Sequence, residues 1–257
     1  MNSSDLRAEA RKKLEGKWGK AALITLAYTA LFFVLGFIEG LFEDGSAMQS
    51  IISIVVAIIE VPLAFGMIIA LFKLYNSEDV KAFDFLSLGF SNFAKSWKIS
   101  FTLLLKLIVP VILIIVSIIL ITFGITSLTV STFLHTTSTG GLFFFAIIGF
   151  ILYIISLIGA IMLSYYYSMA FIIAADKPEL SAKSAVEESK NLMKGNRSKL
   201  FLLQLSFIGW AILAVCTLGI GYLWLLPYVQ FATFAFYKNL SAKENVVIEE
   251  DNVIKGN

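Results

Sequence analysis

KNLMKGNRSKLFLLQLSFIGWAILAVCTLGIGYLWLLPY, residues 190–228, is the stretch that decides the fold. A basic collar of Lys194, Arg197 and Lys199 leads into an uncharged run from Leu200 to Tyr237, which only Gly219-Ile220-Gly221 punctuates. At about 1.5 Å per helical residue this run reaches about 57 Å, enough to cross a ~30 Å hydrocarbon core twice with a tight turn between. The pattern predicts a membrane hairpin whose collar lies at one surface.

The rest of the 257-residue chain has the same character: 58% of residues are hydrophobic and 15% charged, whereas a soluble domain carries about a quarter charged. A polytopic membrane protein follows. The net charge of +2 gives no electrostatic case for a nucleic-acid partner. Cys216 is the single cysteine, so no intrachain disulfide is open to it, and it reads as a small apolar helix residue. The basic N-terminus before an apolar run is arranged like a signal peptide. That run ends at Glu39-Gly40 rather than at a small-x-small cleavage site, so it is read as an uncleaved first span.

In chain order, residues 4–15 predict a surface helix. Ser4 is its N-cap, Leu6, Ala10 and Leu14 share a face, and Gly16 and Gly19 stop it. Transmembrane spans are expected at about 21–38, 47–72, 99–121, 143–174, 199–217 and 220–236. Residues 76–98 return along the inner face, with Phe83, Phe85, Leu86 and Phe90 partly in the interface. No Asp, Glu, Lys or Arg occurs from Leu107 to Ala175, and the surplus over two crossings is assigned to an outer loop at Thr126 to Gly141, with the lone histidine, His135, in it. Span 143–174 is too long for a perpendicular helix and is expected to tilt, project or loosen near Gly149 or Gly159. Splitting it would add a seventh span and put the cations from Lys177 to Lys199 outside. A second amphipathic interfacial helix is expected at 180–194, and a loose cytoplasmic tail at 239–257. The fold class is therefore an all-α membrane helix bundle, one integral membrane domain over 1–238.

The charges test this layout, because cytoplasmic loops carry excess Lys and Arg. With both termini inside and six spans, all 20 Lys and Arg fall on the inner side or within an inner turn, and the outer loops receive none. The same layout shows a pattern repeated three times. A surface segment ends in a Gly, Trp or basic cluster (GKWGK at 16–20, KSWK at 95–98, KGNRSK at 194–199) and leads into a hairpin. Spans two and six also align at an offset that pairs Pro62 with Pro227, Ala70 with Ala235 and Lys73 with Lys238. These identities fit either a parallel threefold repeat of surface helix plus hairpin or chance.

Three blocks, SDLRAEARKKLEGKWGKA from residue 4, AFIIAADKPELSAKSAVEESKNLMKGNRSKLF from 170 and LSFIGWAILAVCTLGIGYLWLLPY from 205, resemble the signature blocks of the DUF975 family of bacterial integral membrane proteins. The resemblance covers the N-terminal block and about 170–237. It implies a multi-span protein of the bacterial cytoplasmic membrane, and it carries over no catalytic residue and no cargo.

An ionisable residue inside a span is a functional candidate. Two qualify, Glu60 and Lys106. With Gln204, Gln230 and Tyr166, flanked by Tyr165 and Tyr167, they would line a polar cavity open to the cytoplasm. The competing reading has Lys106 snorkelling, Glu60 protonated and the glutamines bonding between helices. Arg11, Lys17, Lys194, Arg197 and Lys199 are candidate contacts for lipid phosphates. Gly66 with Ala70, and Ala170 with Ala174, are small-residue pairs suited to close helix packing, and Trp210 is expected to fill a core position. With one histidine and neither an HExxH nor a phosphate-loop motif, no metal, cofactor or catalytic residue is expected. Two functions remain. One is a noncatalytic membrane protein whose cytoplasmic-side surface helices bind anionic lipid or a membrane-protein partner. The alternative is a small-molecule or lipid transporter that uses the inward-facing cavity.

Overall fold

In a computed structural model, residues 2–133 and 139–255 are described, and His135 lies outside them. The described chain is helical, with no strand: α1 (Ser3–Leu14), α2 (Trp18–Glu39), α3 (Ala47–Tyr75), α4 (Asp84–Ser91), α5 (Phe93–Phe133), α6 (Thr139–Tyr167), α7 (Ala170–Asp176), α8 (Ala182–Met193), α9 (Arg197–Leu205), α10 (Ile208–Cys216) and α11 (Tyr222–Lys255). Among the described residues five segments are long and apolar enough to cross a membrane: Trp18–Glu39, Ala47–Tyr75, Phe93–Ser127, Phe143–Asp176 and Arg197–Cys216. Their outward surfaces are apolar, with Phe33 76% and Phe37 63% exposed, far beyond what a water-facing surface tolerates. The protein is a membrane-embedded helical protein. Residues 220–236, expected as a sixth span, form the last turn residues before α11 and its first half.

The chain divides into two compact units, residues 1–100 with 168–257, and residues 101–167. In the smaller unit, α5 and α6 form an antiparallel hairpin. A Cβ on Gly124 would lie 2.5 Å from Ala146 N, and one on Gly149 would lie 2.9 Å from Ile121 N and Ser117 O, so two glycines set this close approach. The ring centroids of Phe123 and Phe145 are 5.6 Å apart. The expected outer loop at Thr126 to Gly141 is narrowed at its flanks, because α5 stays helical through Phe133 and α6 is already helical at Thr139, and residues 134–138 of it lie outside the described residues. Pro110 sits inside α5 without ending it.

The larger unit is built on the second half of α3 and the first half of α11. Phe72 and Phe234 meet at 5.1 Å, and Tyr75 lies 5.4 Å from Phe231 and 5.7 Å from Phe234. Of the ten buried positions of α3 from Pro62 to Tyr75, eight are matched by buried positions of α11 at the offset of Pro227 from Pro62, while Phe65 and Leu74 correspond to the half-buried Gln230 and Asn239. Against these two helices pack the short ones: α4 lies on α3, α1 on α11, and α8 on α7, which itself lies on α3. Residues 76–98, expected to return along the inner face, include α4, which crosses α3 closely. A Cβ on Gly66 would fall 2.1 Å from Phe85 O, and one on Gly89 would fall 2.5 Å from Pro62 O. The Gly66 half of the small-residue expectation is thus a contact between α3 and α4.

α1 and α8 are matched in detail. Each has 12 residues and buries one stripe, Leu6, Ala10 and Leu14 in α1 and Ala185, Ser189 and Met193 among that of α8. Each then enters a turn with the angles and hydrogen bond of type II. In the first, Glu15 (φ −56°, ψ 127°) precedes Gly16 (φ 73°), and Lys17 N donates to Leu14 O. In the second, Lys194 (φ −63°, ψ 118°) precedes Gly195 (φ 78°), and Asn196 N donates to Met193 O. Glycine is required at the third turn position because that residue needs a positive φ.

Two expected spans are interrupted. The expected span 143–174 breaks between α6 and α7, at Ser168 and Met169, rather than at Gly149 or Gly159. Met169 N there donates to Ser189 Oγ of α8 at 3.1 Å, an external partner for a backbone group at the start of α7. Span 199–217 divides into α9 and α10 at Ser206-Phe207. At the other end of the chain, the expected loose tail continues α11 as helix to Lys255.

Candidate functional site

Two carboxylates hold the larger unit together, and both escaped the sequence reading. Glu9 of α1 accepts from Tyr75 Oη of α3 (2.9 Å) and from Asn239 Nδ2 of α11 (3.1 Å). Asp176 of α7 accepts from Tyr237 Oη (2.8 Å) and pairs with Lys238 Nζ (2.8 Å), both of α11. The sequence showed these only as surface acids. The partnering tyrosines on the apolar helices were the signal available, because a buried phenol needs an acceptor.

Docking of α1 on α11 builds a groove beside these ties. Arg7 donates to Ser206 O (3.1 Å), the carbonyl at the break between α9 and α10, where a cation also suits the C-terminal end of α9. Its Nε is buried and makes no hydrogen bond. One turn on, Arg11 donates to Tyr228 Oη at 2.8 Å, and Tyr228 Oη in turn reaches Arg7 O at 3.4 Å. The Tyr228 ring is fixed edge-on by Trp18 (5.8 Å) and Phe207 (4.9 Å). A cavity of about 400 Å³ opens here between α1, α10 and α11, lined by Trp210, Trp224 and Gly221 among others. Trp210 is therefore not a core residue. It is 52% exposed and faces this groove.

A second cavity, of about 420 Å³, lies on the other side of Leu225, between α2, α3, α9, α10 and α11. Gln204 and Gln230 both line it, with Tyr28, Thr29 and Tyr222 as the other polar groups in an otherwise apolar wall. The structure thus brings the two glutamines together and leaves Glu60 out of their cavity: Glu60 is exposed on α3, two residues from Ile58, whose carbonyl accepts from Trp97 Nε1 at 3.1 Å. Lys106, exposed, and Tyr166, half-buried, belong to the other unit.

The candidate phosphate contacts divide in the same way. Lys17 Nζ donates to Leu74 O (3.0 Å) and Ser77 Oγ (2.9 Å), closing the C-terminus of α3. Burial first, and the Lys13 cation second, hold its ammonium below the ordinary lysine value. Lys199 donates to Asn196 Oδ1 at 2.9 Å, Lys194 is exposed at the end of α8, and Arg197 is half-buried at the start of α9. Of the five, Arg11 alone lines one of these two cavities. Among the described residues no three His, Cys, Asp or Glu cluster as metal ligands would.

The family model described as "Protein of unknown function (DUF975)" matches residues 1–244. The chain belongs to the DUF975 family. No curated protein and no solved structure matches it. The match takes in all the helices of this DUF975 chain up to the first part of α11, and both cavities with them. The groove and the glutamine-lined cavity are thus features of the matched region, not of an added segment.

Proposed function

We propose that this DUF975 protein is a noncatalytic, six-span protein of the bacterial cytoplasmic membrane, with both termini inside, that binds lipid or a membrane-protein partner through basic surface helices. The observation that carries this reading is the gathering of short helices α1, α4 and α8 at the buried ends of α3, α7 and α11, while the other stretches of the long helices stay apolar and exposed. The cations of α1, of the α8–α9 turn and of the start of α5 belong to that gathered end. Each cation near an anionic leaflet adds about 1 kcal/mol.

The sixth span in this reading is the first half of α11, sheathed by other helices of the chain rather than by lipid. A threefold repeat is part of the proposal too. The matched turns at Gly16 and Gly195 and the shared burial pattern of α3 and α11 support it, as does the docking of α1, α4 and α8 on the last helix of a hairpin, cyclically in the case of α1. The transporter reading keeps one observation in its favour, the shared cavity of Gln204 and Gln230. Purification of the full chain in mild detergent, followed by mass spectrometry of what stays bound, tests the choice. Stoichiometric phospholipid or a single partner protein is expected. A chain that is folded and carries neither would sink the binding reading.

A further inference from the structure

We infer that the groove between α1, α10 and α11 seats one glycerophospholipid, its phosphodiester on the Arg11 guanidinium and one acyl chain along Trp210, Leu213 and Trp224. This rests on the proposal that the protein is a lipid or partner binder at its basic end, and it names the place and the ligand.

The groove has the two chemistries such a ligand needs at the spacing of a headgroup and its tail. Its walls are apolar and aromatic, and three of the protein's four tryptophans, Trp18, Trp210 and Trp224, line it. Tryptophan favours the headgroup boundary, where an apolar ring body and a polar N–H both find partners. Its volume of about 400 Å³ takes part of one acyl chain and excludes a folded domain. The charge is specific as well. Of the two arginines one turn apart on α1, Arg7 is committed inward to the Ser206 carbonyl. Arg11 is exposed and held at the groove by Tyr228, and this bond takes up one of its five donors. The fork that remains matches two oxygens of a phosphodiester, the geometry in which arginine exceeds lysine. Tyr228 is itself wedged between Trp18 and Phe207, so the guanidinium is oriented before any ligand arrives.

The test uses tryptophan fluorescence of the full-length protein in detergent. The Trp97→Phe variant is the working background, so that only groove tryptophans report. Phosphatidylglycerol with brominated acyl chains is titrated in, against diacylglycerol with the same chains and against soluble glycerol 3-phosphate as competitor. Quenching that saturates near one phosphatidylglycerol per chain is expected, with diacylglycerol at least tenfold weaker and glycerol 3-phosphate failing to compete at millimolar concentration. Arg11→Gln should weaken phosphatidylglycerol about tenfold, and Arg11→Lys should recover only part, as loss of one charge-assisted contact predicts. Lys243→Gln, an exposed change on α11 outside the groove, should match the background.

Equal quenching by the two lipids, competition by glycerol 3-phosphate, or an unchanged titration in Arg11→Gln would each overturn the assignment. If Arg11→Gln does not fold, by size exclusion and helical circular dichroism, Trp210→Ala is read instead by native mass spectrometry and must lose the bound lipid. The two readings fail differently. Lipid that persists in Arg11→Gln but is lost when Lys194, Arg197 and Lys199 are all changed to Gln refutes the groove and spares the wider reading. A folded chain that binds no phospholipid and no protein refutes the wider reading.

Discussion

Glu9 is the residue on which three parts of the chain converge, taking bonds from Tyr75 and Asn239 while its own helix lies on α11. Hydrogen bonds to a charged group are each worth more than neutral ones, and removing the acceptor strands two donors. Glu9→Ala should therefore cost about 2 kcal/mol and lower the midpoint of thermal unfolding in detergent by roughly 5 °C. Tyr75→Phe added to that background should cost less than it does alone, because the two changes remove one shared bond. Additive effects would show that the bond does not contribute. Residues of this kind were poorly legible in the sequence. A glutamate on a basic amphipathic segment reads as solvated, and nothing nearby in the chain names partners 66 and 230 residues away. Glu60 shows the same limit, lying exposed on α3. An acid within an apolar run reads as enclosed, but which face of α3 it occupies depends on neighbours supplied by other segments.

Among the elements, the crossing of α3 and α4 is the most demanding, because backbone meets backbone at Gly66 and Gly89. Gly66→Ala places a methyl carbon where the Phe85 carbonyl stands, so α4 must move off α3. A loss of about 3 kcal/mol or failure to accumulate as folded protein is expected, at the upper end for overpacking. Gly36→Ala meets nothing within 4 Å and should be neutral or stabilising by up to about 1 kcal/mol through helix propensity. Unfolding midpoints of the pair provide the check. The turns at Gly16 and Gly195 have open space around the Cα, so alanine there meets only the backbone cost of a positive φ, about 1–2 kcal/mol. Asparagine should recover part of it. These turns were readable because glycine after an amphipathic stripe is an unambiguous stop. The breaks at Ser168-Met169 and Ser206-Phe207 were not, since YYYSMAF and LQLSFIG carry no proline or glycine at the break itself, and the partners that relieve them, Ser189 and Arg7, come from elsewhere.

For the whole molecule, hydropathy located the apolar helices and the distribution of cations gave a direction to test. In a Cys216→Ala background, Ser198→Cys should resist membrane-impermeant maleimide in intact cells and react after permeabilisation. Labelling in intact cells would reverse the proposed orientation. Of the cavity imagined from the sequence, the glutamine pair in α9 and α11 shares a site. Lys106 and Tyr166 belong to the other compact unit, because the hairpin α5–α6 forms its own contacts. Hydropathy does not record which apolar helix packs on which, so it could place residues by depth but not by neighbourhood.

The seat of α1 has a further consequence, in the order in which a ribosome delivers the parts. The main partner of α1 is α11, which follows it by more than 200 residues. At roughly 5–20 residues per second, Leu6, Ala10 and Leu14 wait tens of seconds before Tyr228 and Asn239 exist. Through that interval α1 has only its own hairpin and the bilayer surface to cover its apolar stripe, so a nascent chain stalled ahead of Tyr222 should expose α1 to protease while the completed chain hides it.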